Sequence, residues 1–157
     1  MAEKISSMKE NDVWELVPAV PGQNLLKTKW VFKQKTKADG SIDKFKARLC
    51  VKGWSQKYGV DFKDTFAPVI KQSSLKLMIA IAVEKRWIIR QVDVETAFLN
   101  GVLEIEIYIP QPEGLSDGTN RVCKLKKAIY GLRQSLRMWM NEDTVICYYL
   151  LEIHFRY

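Results

Sequence analysis

Apolar and polar positions change period several times along this chain. Residues 2–10 are polar with weak helical spacing and predict a short lead-in helix. Residues 14–17 alternate until Pro18 and Pro21-Gly22 break the pattern, which reads as a strand and a turn. Two longer alternating runs, 27–36 and 41–51, flank Asp39-Gly40, a strong hairpin signal. Alternation puts Trp30 and Phe32 on one face and Lys29, Lys33 and Lys35 mostly on the other, giving a core face and a lysine comb. Residues 61–69 read as a loop in which Pro68 is a stiffener and Phe66 a core anchor. Ser73 or Ser74 is placed to cap a helix running to about Lys85, because Leu75, Met78, Ile79, Ala82 and Val83 recur at helical spacing. Residues 87–94 form an apolar-rich strand with Asp93 at its end, and 95–100 a short helical turn closed by Gly101. Strict alternation over 104–109 predicts an amphipathic strand whose wet face carries Glu104 and Glu106. Residues 110–114 end it, a surface loop runs to 120, and 122–125 form another short strand. From 126 to about 140 a helix is expected, interrupted or initiated around Gly131. Trp14, Trp30, Trp54 and Trp87 all fall in apolar-patterned runs and are assigned to the core. Helices and strands interleave without regular crossover repeats, so the fold class is α+β.

Length adds one constraint: 157 residues suffice for one domain with a modest core. The longest apolar run, 77–83, has 7 residues and is too short to span a bilayer, and the polar start lacks a signal-peptide core. The expected setting is therefore intracellular, cytoplasmic or nuclear, with no membrane partner. Cys50, Cys123 and Cys147 are widely spaced and read as reduced thiols, mostly buried.

Charge changes the picture more. Ten Lys/Arg lie within residues 27–57 against Asp39 and Asp43 alone, a local net of +8, so the chain's excess of +7 sits in one segment. That concentration points to a polyanion partner, with a solvated edge hairpin kept soluble by lysines as the plainer alternative.

The candidate chemistry centres on Gln91-Val92-Asp93-Val94-Glu95-Thr96-Ala97-Phe98-Leu99-Asn100-Gly101, where a carboxylate ends a β-branched run and an aromatic ring follows five residues later. On residue type alone, Asp93 also suits a helix N-cap and Phe98 a core position. Other blocks accompany this one in order: Thr28-Lys29-Trp30-Val31-Phe32-Lys33, Lys46-Ala47-Arg48-Leu49, Val51-Lys52-Gly53, Thr65-Phe66-Ala67-Pro68-Val69, Glu106-Ile107-Tyr108-Ile109, Gln111-Pro112-Glu113-Gly114, Val122-Cys123-Lys124-Leu125 and Ile129-Tyr130-Gly131-Leu132-Arg133-Gln134-Ser135. Together, from about Trp14 to Trp139, they resemble the reverse transcriptase of copia-type retrotransposons.

The resemblance implies a basic fingers β-hairpin (about 14–72) and the first part of a polymerase palm with a mixed or antiparallel sheet (about 73–139), within a partial domain spanning 1–139. It also implies RNA template, DNA primer and dNTPs as partners and Mg²⁺ as cofactor, with Asp93 as the first metal carboxylate and the Val94 carbonyl as a further oxygen ligand. The amides of Thr96 and Ala97 would face the triphosphate, and Phe98 would be the sugar gate that favours deoxynucleotides. Lys46 and Arg48 resemble the fingers cations that meet incoming phosphates, although without the family ordinary surface charge is the better explanation of such residues. Gly131, Gln134 and Ser135 fall in the segment lining the nucleotide, where Gln134 and Ser135 are candidate hydrogen-bond partners. Lys29, Lys33, Lys35 and Lys52 would contact the nucleic-acid backbone.

Two departures matter. The family's other metal carboxylates come from a Tyr-x-Asp-Asp hairpin, and no Asp-Asp pair occurs in this sequence. Residues 140–157 form an apolar, aromatic tail that diverges from the family, and Leu136 stands where relatives usually carry proline. One carboxylate cannot clamp two metals about 3.5–4 Å apart, so the isolated chain is expected to lack polymerase turnover. A non-catalytic nucleic-acid-binding module and a non-functional transposon relic are the alternatives. An open palm-sheet edge, with Val145, Ile146, Tyr148, Leu150 and Leu151 as possible cover, would favour self-association.

Overall fold

A computed structural model describes residues 2–89, 94 and 96–140. The elements run α1 (Ala2–Glu10), β1 (Trp14–Pro18), β2 (Thr28–Thr36), β3 (Ile42–Val51), α2 (Gln72–Glu84), β4 (Val102–Ile109), β5 (Arg121–Lys127) and α3 (Ser135–Trp139), with 3-10 turns at Gly53–Ser55 and Ala97–Asn100. Among the described residues the strands form two antiparallel sheets: a three-stranded sheet in the order β1-β5-β4, and the β2-β3 hairpin. Helices beside antiparallel sheets agree with an α+β class.

One core joins the two sheets. Leu49 and Val51 at the base of β3 pack with Ile107 and Ile109 of β4, Cys123 and Leu125 of β5, and Met8, Val13, Leu26, Leu99, Ile129 and Leu132. Burial pushes the Cys123 thiol up to about 11, with Asp117 adding to the shift, so this sulfur is an inert packing group. The chain between β1 and β2 is tied to the sheet by Leu26 N donating to the Tyr108 carbonyl at 2.9 Å.

The hairpin departs from a two-residue turn. Thr36 pairs with Ile42 after a register shift, and Asp39 Oδ1 accepts hydrogen bonds from the Ser41 amide at 2.9 Å and its hydroxyl at 2.6 Å. These bonds hold the Asp39 carboxyl below the usual carboxylate range.

Several expectations need correction. Phe32 does not join the core: it is 65 % exposed, because the outer half of the hairpin projects beyond the three-stranded sheet. Trp54 and Phe66 are likewise exposed, on a 3-10 turn and in a loop that no strand covers. Helix α2 starts at Gln72, one residue ahead of the serines, with Lys71 as its N-cap and no side-chain cap. Of its expected apolar stripe only Ala82 is buried; Leu75, Ile79 and Val83 are exposed, for no other described element lies over them. Finally, residues 126–134 are not helical. Lys126 and Lys127 donate to the Val13 carbonyl at 2.9 and 3.2 Å, and Ala128 to that of Gly101 at 2.7 Å, so β5 continues and α3 is confined to five residues. Half of the strand expected over 87–94, residues 90–93 with Asp93 among them, falls outside the described residues, as does the tail from 141 to 157.

Candidate nucleotide and nucleic-acid site

Alternation on the hairpin sorts the side chains by face. Trp30, Phe32 and Gln34 pair with Leu49, Ala47 and Phe45 on one side; Lys29, Val31, Lys33 and Lys35 pair with Cys50, Arg48, Lys46 and Lys44 on the other. Two of these cross-strand pairs, Lys33 with Lys46 and Lys35 with Lys44, put like charges directly opposite one another. Such pairs destabilise a sheet. Lys46 registers the crowding: first the Lys35 ammonium, then burial and the Lys44 charge, push its pKa below the ordinary lysine value. Among the described residues the salt bridges lie elsewhere, at Arg121, Lys124, Lys126 and Arg137, so no carboxylate relieves the comb.

At the base of the hairpin the basic face meets two aromatic rings. The Arg48 guanidinium sits 5.2 Å from the centre of the Tyr130 ring, and Tyr130 meets Phe98 edge-on with ring centres 4.8 Å apart. Phe98 is half-buried in the turn Ala97–Asn100, which Thr96 enters in a left-handed conformation at φ +53°. Tyr130 is held by its backbone, whose carbonyl accepts the Val51 amide at 2.8 Å. Lys4 of α1 adds a further cation, its pKa lowered by burial and then by the Arg48 charge. Arg48 and Phe98, which the sequence analysis selected separately, thus share one cluster, whereas Lys46 lies two residues further out along β3. Val94 is described and half-buried; Asp93 is not described.

Gln134 and Ser135 go elsewhere. The Gln134 amide donates to the Asp61 carbonyl at 2.9 Å, and its Oε1 accepts from Gln56 Nε2 at 3.0 Å. Gln56 Oε1 in turn accepts the Arg133 amide at 2.8 Å, and Asp61 Oδ2 the Lys57 amide at 2.7 Å. The Ser135 hydroxyl donates to the Ile129 carbonyl. All of Gln56, Asp61, Gln134 and Ser135 are buried, so in this structure their hydrogen-bonding capacity is spent on seating the 131–135 turn against the 53–62 segment. Gln134→Leu should therefore destabilise the fold by about 2–3 kcal/mol, since it removes two buried hydrogen bonds and leaves Gln56 Nε2 and the Asp61 carbonyl only their long 3.4 Å bond to each other; a urea titration reads this directly. Sequence reasoning missed Tyr130, Lys4, Gln56 and Asp61 as parts of the arrangement. Only Tyr130, an aromatic beside a glycine, carried any local signal.

The profile of the family described as "Reverse transcriptase (RNA-dependent DNA polymerase)" matches residues 11–157. The chain belongs to this family. It is 42 % identical over 158 residues to the retrovirus-related Pol polyprotein from transposon RE1 of Arabidopsis thaliana, covering 99 % of this chain and 11 % of that protein. The Pol polyprotein from transposon TNT 1-94 of Nicotiana tabacum is 44 % identical over 141 residues, covering 88 % and 11 %. An uncharacterized mitochondrial protein of Arabidopsis thaliana, AtMg00820, is 39 % identical over 82 residues, 52 % of this chain and 48 % of its own length. No solved structure matches. The chain thus spans about a tenth of the polyproteins it resembles, and it is a copia-type reverse transcriptase segment.

Reverse transcriptases generally use divalent metal ions. Among the described residues no group of three His, Cys, Asp or Glu is placed to hold a metal. No helix of the described residues is long and apolar enough to cross a membrane.

Proposed function

We propose that this segment forms the fingers (about 14–72) and the first part of the palm (about 73–139) of an RNA-directed DNA polymerase that extends a DNA primer on an RNA template with dNTPs. The observation that supports this most is the Arg48–Tyr130–Phe98 cluster, which sets a guanidinium and a half-buried ring within one nucleotide's reach of each other. Phosphoryl transfer needs positioning and charge more than covalent help. In this reading Arg48 grips triphosphate oxygens bidentately and Lys46 acts as a point charge. The amides of Thr96 and Ala97 face the triphosphate, and the Phe98 ring edge meets the 2′ position of the sugar and disfavours a hydroxyl there. Gly131, Gln134 and Ser135 act as positioning residues, since they hold the Tyr130 turn on the base of β3. Lys29, Lys33, Lys35 and Lys52 hold the phosphate backbone. Asp93 and the Val94 carbonyl would supply part of a magnesium site, and the remaining carboxylates come from outside this segment.

Incubation of the purified chain with primed RNA, dNTPs and Mg²⁺ should give binding without templated extension. Extension that Asp93→Ala abolishes would overturn the incomplete-site reading. A second reading, a nucleic-acid-binding module without catalysis, is favoured by the unrelieved lysine pairs. Its signature is binding that Asp93→Asn leaves unchanged and that Lys46→Gln with Arg48→Gln weakens about tenfold, as removal of two phosphate contacts implies.

A further inference from the structure

The lysine comb leaves the opposite face of the hairpin unexplained. Phe32 is 65 % and Phe45 74 % exposed, although alternation puts both on the face whose inner end, Leu49, is core. Trp30 and Phe32 lie nearly parallel, 15° apart with ring centres 6.3 Å from one another, and the Trp30 indole is fixed by donating to the Glu113 carbonyl at 3.2 Å. Ala47 opposite Phe32 keeps the floor low between Phe32 and Phe45. Phe32, Gln34, Phe45 and Ala47 line an open cavity of about 470 Å³ together with Lys33 and Lys46.

Lys33 and Lys46 belong to the comb face but also border this cavity, and exposed rings with lysines at the rim suit one class of occupant. A second copy of the chain would bring two segments of net charge +8 together, which repulsion opposes. A single-stranded nucleic acid satisfies both components, as its bases offer π-faces to the rings and its phosphates answer the lysines. We propose that the outer half of the hairpin is a stacking platform: Phe32 and Phe45 take an unpaired base of a single-stranded nucleic acid, and Lys33 holds an adjoining phosphate. Gln34, between the rings, is the one neutral side chain on this floor able to bond a base edge. The proposal rests on the nucleic-acid reading above but adds to it a demand for unpaired bases, which phosphate contacts alone do not make.

The test uses the full 157-residue chain with a 12-nucleotide oligouridylate, an abasic strand of the same length and an RNA duplex. The oligouridylate should bind about tenfold more tightly than the abasic strand, and Phe32→Ala or Phe45→Ala should each remove most of that margin without altering the salt slope. Phe45→Trp should keep the margin and Phe45→Leu should lose it. Because both rings are exposed, the variants should melt as the parent does. Photocrosslinking of 5-iodouridine RNA to the unaltered chain should map to Phe32 or Phe45, a readout independent of any variant. Equal binding of the base-bearing and abasic strands, crosslinks confined to other segments, or concentration-dependent dimers abolished by Phe45→Ala would each overturn the platform. Loss of the platform with lysine-dependent binding intact would leave the proposed function standing; no binding of any strand would remove both.

Discussion

Gly131→Ala should lower the melting temperature by about 10 °C or more and loosen the link between hairpin and sheet. Two costs combine. Gly131 has φ +92°, where an L side chain strains the backbone by about 1–2 kcal/mol. A Cβ there would also stand 2.1 Å from the Val51 carbonyl oxygen and 3.0 Å from the Val51 amide nitrogen, and neither is a flexible side-chain end that moves aside. Relief requires lifting the turn off β3, which breaks the hydrogen bond from the Val51 amide to the Tyr130 carbonyl. Together these cost about 3–5 kcal/mol, a large share of a small domain's stability. Gly22→Ala isolates the first cost, since φ is +80° with nothing within 4 Å of the new Cβ; it should lower stability by only about 1–2 kcal/mol. A thermal melt followed by circular dichroism distinguishes the two. Equal losses in the two variants would mean that the close approach of the 131 turn to β3 carries no weight. Tyr130, one residue before Gly131, would leave its place between Arg48 and Phe98 in the same event.

That coupling explains where sequence reasoning succeeded and where it stopped. Alternation is a local signal, and it located β1, β4, β5 and both hairpin strands because each keeps its period over its own length. The turn Ala97–Asn100 closed by Gly101 was legible for the same reason. Residues 126–134 were not: Lys126-Lys127-Ala128 is compatible with a helix, and only bonds to Val13 and Gly101, far away in sequence, extend the strand instead. Phe32, Phe45, Trp54 and Phe66 expose a deeper limit. An apolar period identifies a face that water should leave, without saying whether protein or a ligand covers it. Arg48 and Phe98 were each recognisable in their motifs, but their meeting through Tyr130 spans two elements and a turn, so no spacing rule encodes it. Gln134 shows the converse: its motif position suggested a ligand contact, while its amide is committed to Gln56 and Asp61 in the interior.

Replacing Lys33, Lys35, Lys44 and Lys46 together by glutamine should move binding and stability in opposite directions. Each phosphate contact to a single strand contributes about 0.7 to the slope of log affinity against log salt, so losing four should make the slope shallower by about 2.8. Affinity at moderate salt should fall by about a hundredfold or more. Stability should rise slightly, because Lys33 faces Lys46 and Lys35 faces Lys44 across the strands, and removing two like-charge pairs relieves their repulsion. The depressed pKa of Lys46 makes the same point through a different quantity: removing Lys35 and Lys44 alone should return it toward the ordinary lysine value, which nitrogen-detected NMR titration would follow. A hairpin kept basic only for solubility predicts another pattern, with binding unchanged and aggregation increased once the charges go. Charges held opposite one another at a cost to the fold are what a polyanion site requires, since the phosphate that arrives between them turns the repulsion into shared attraction.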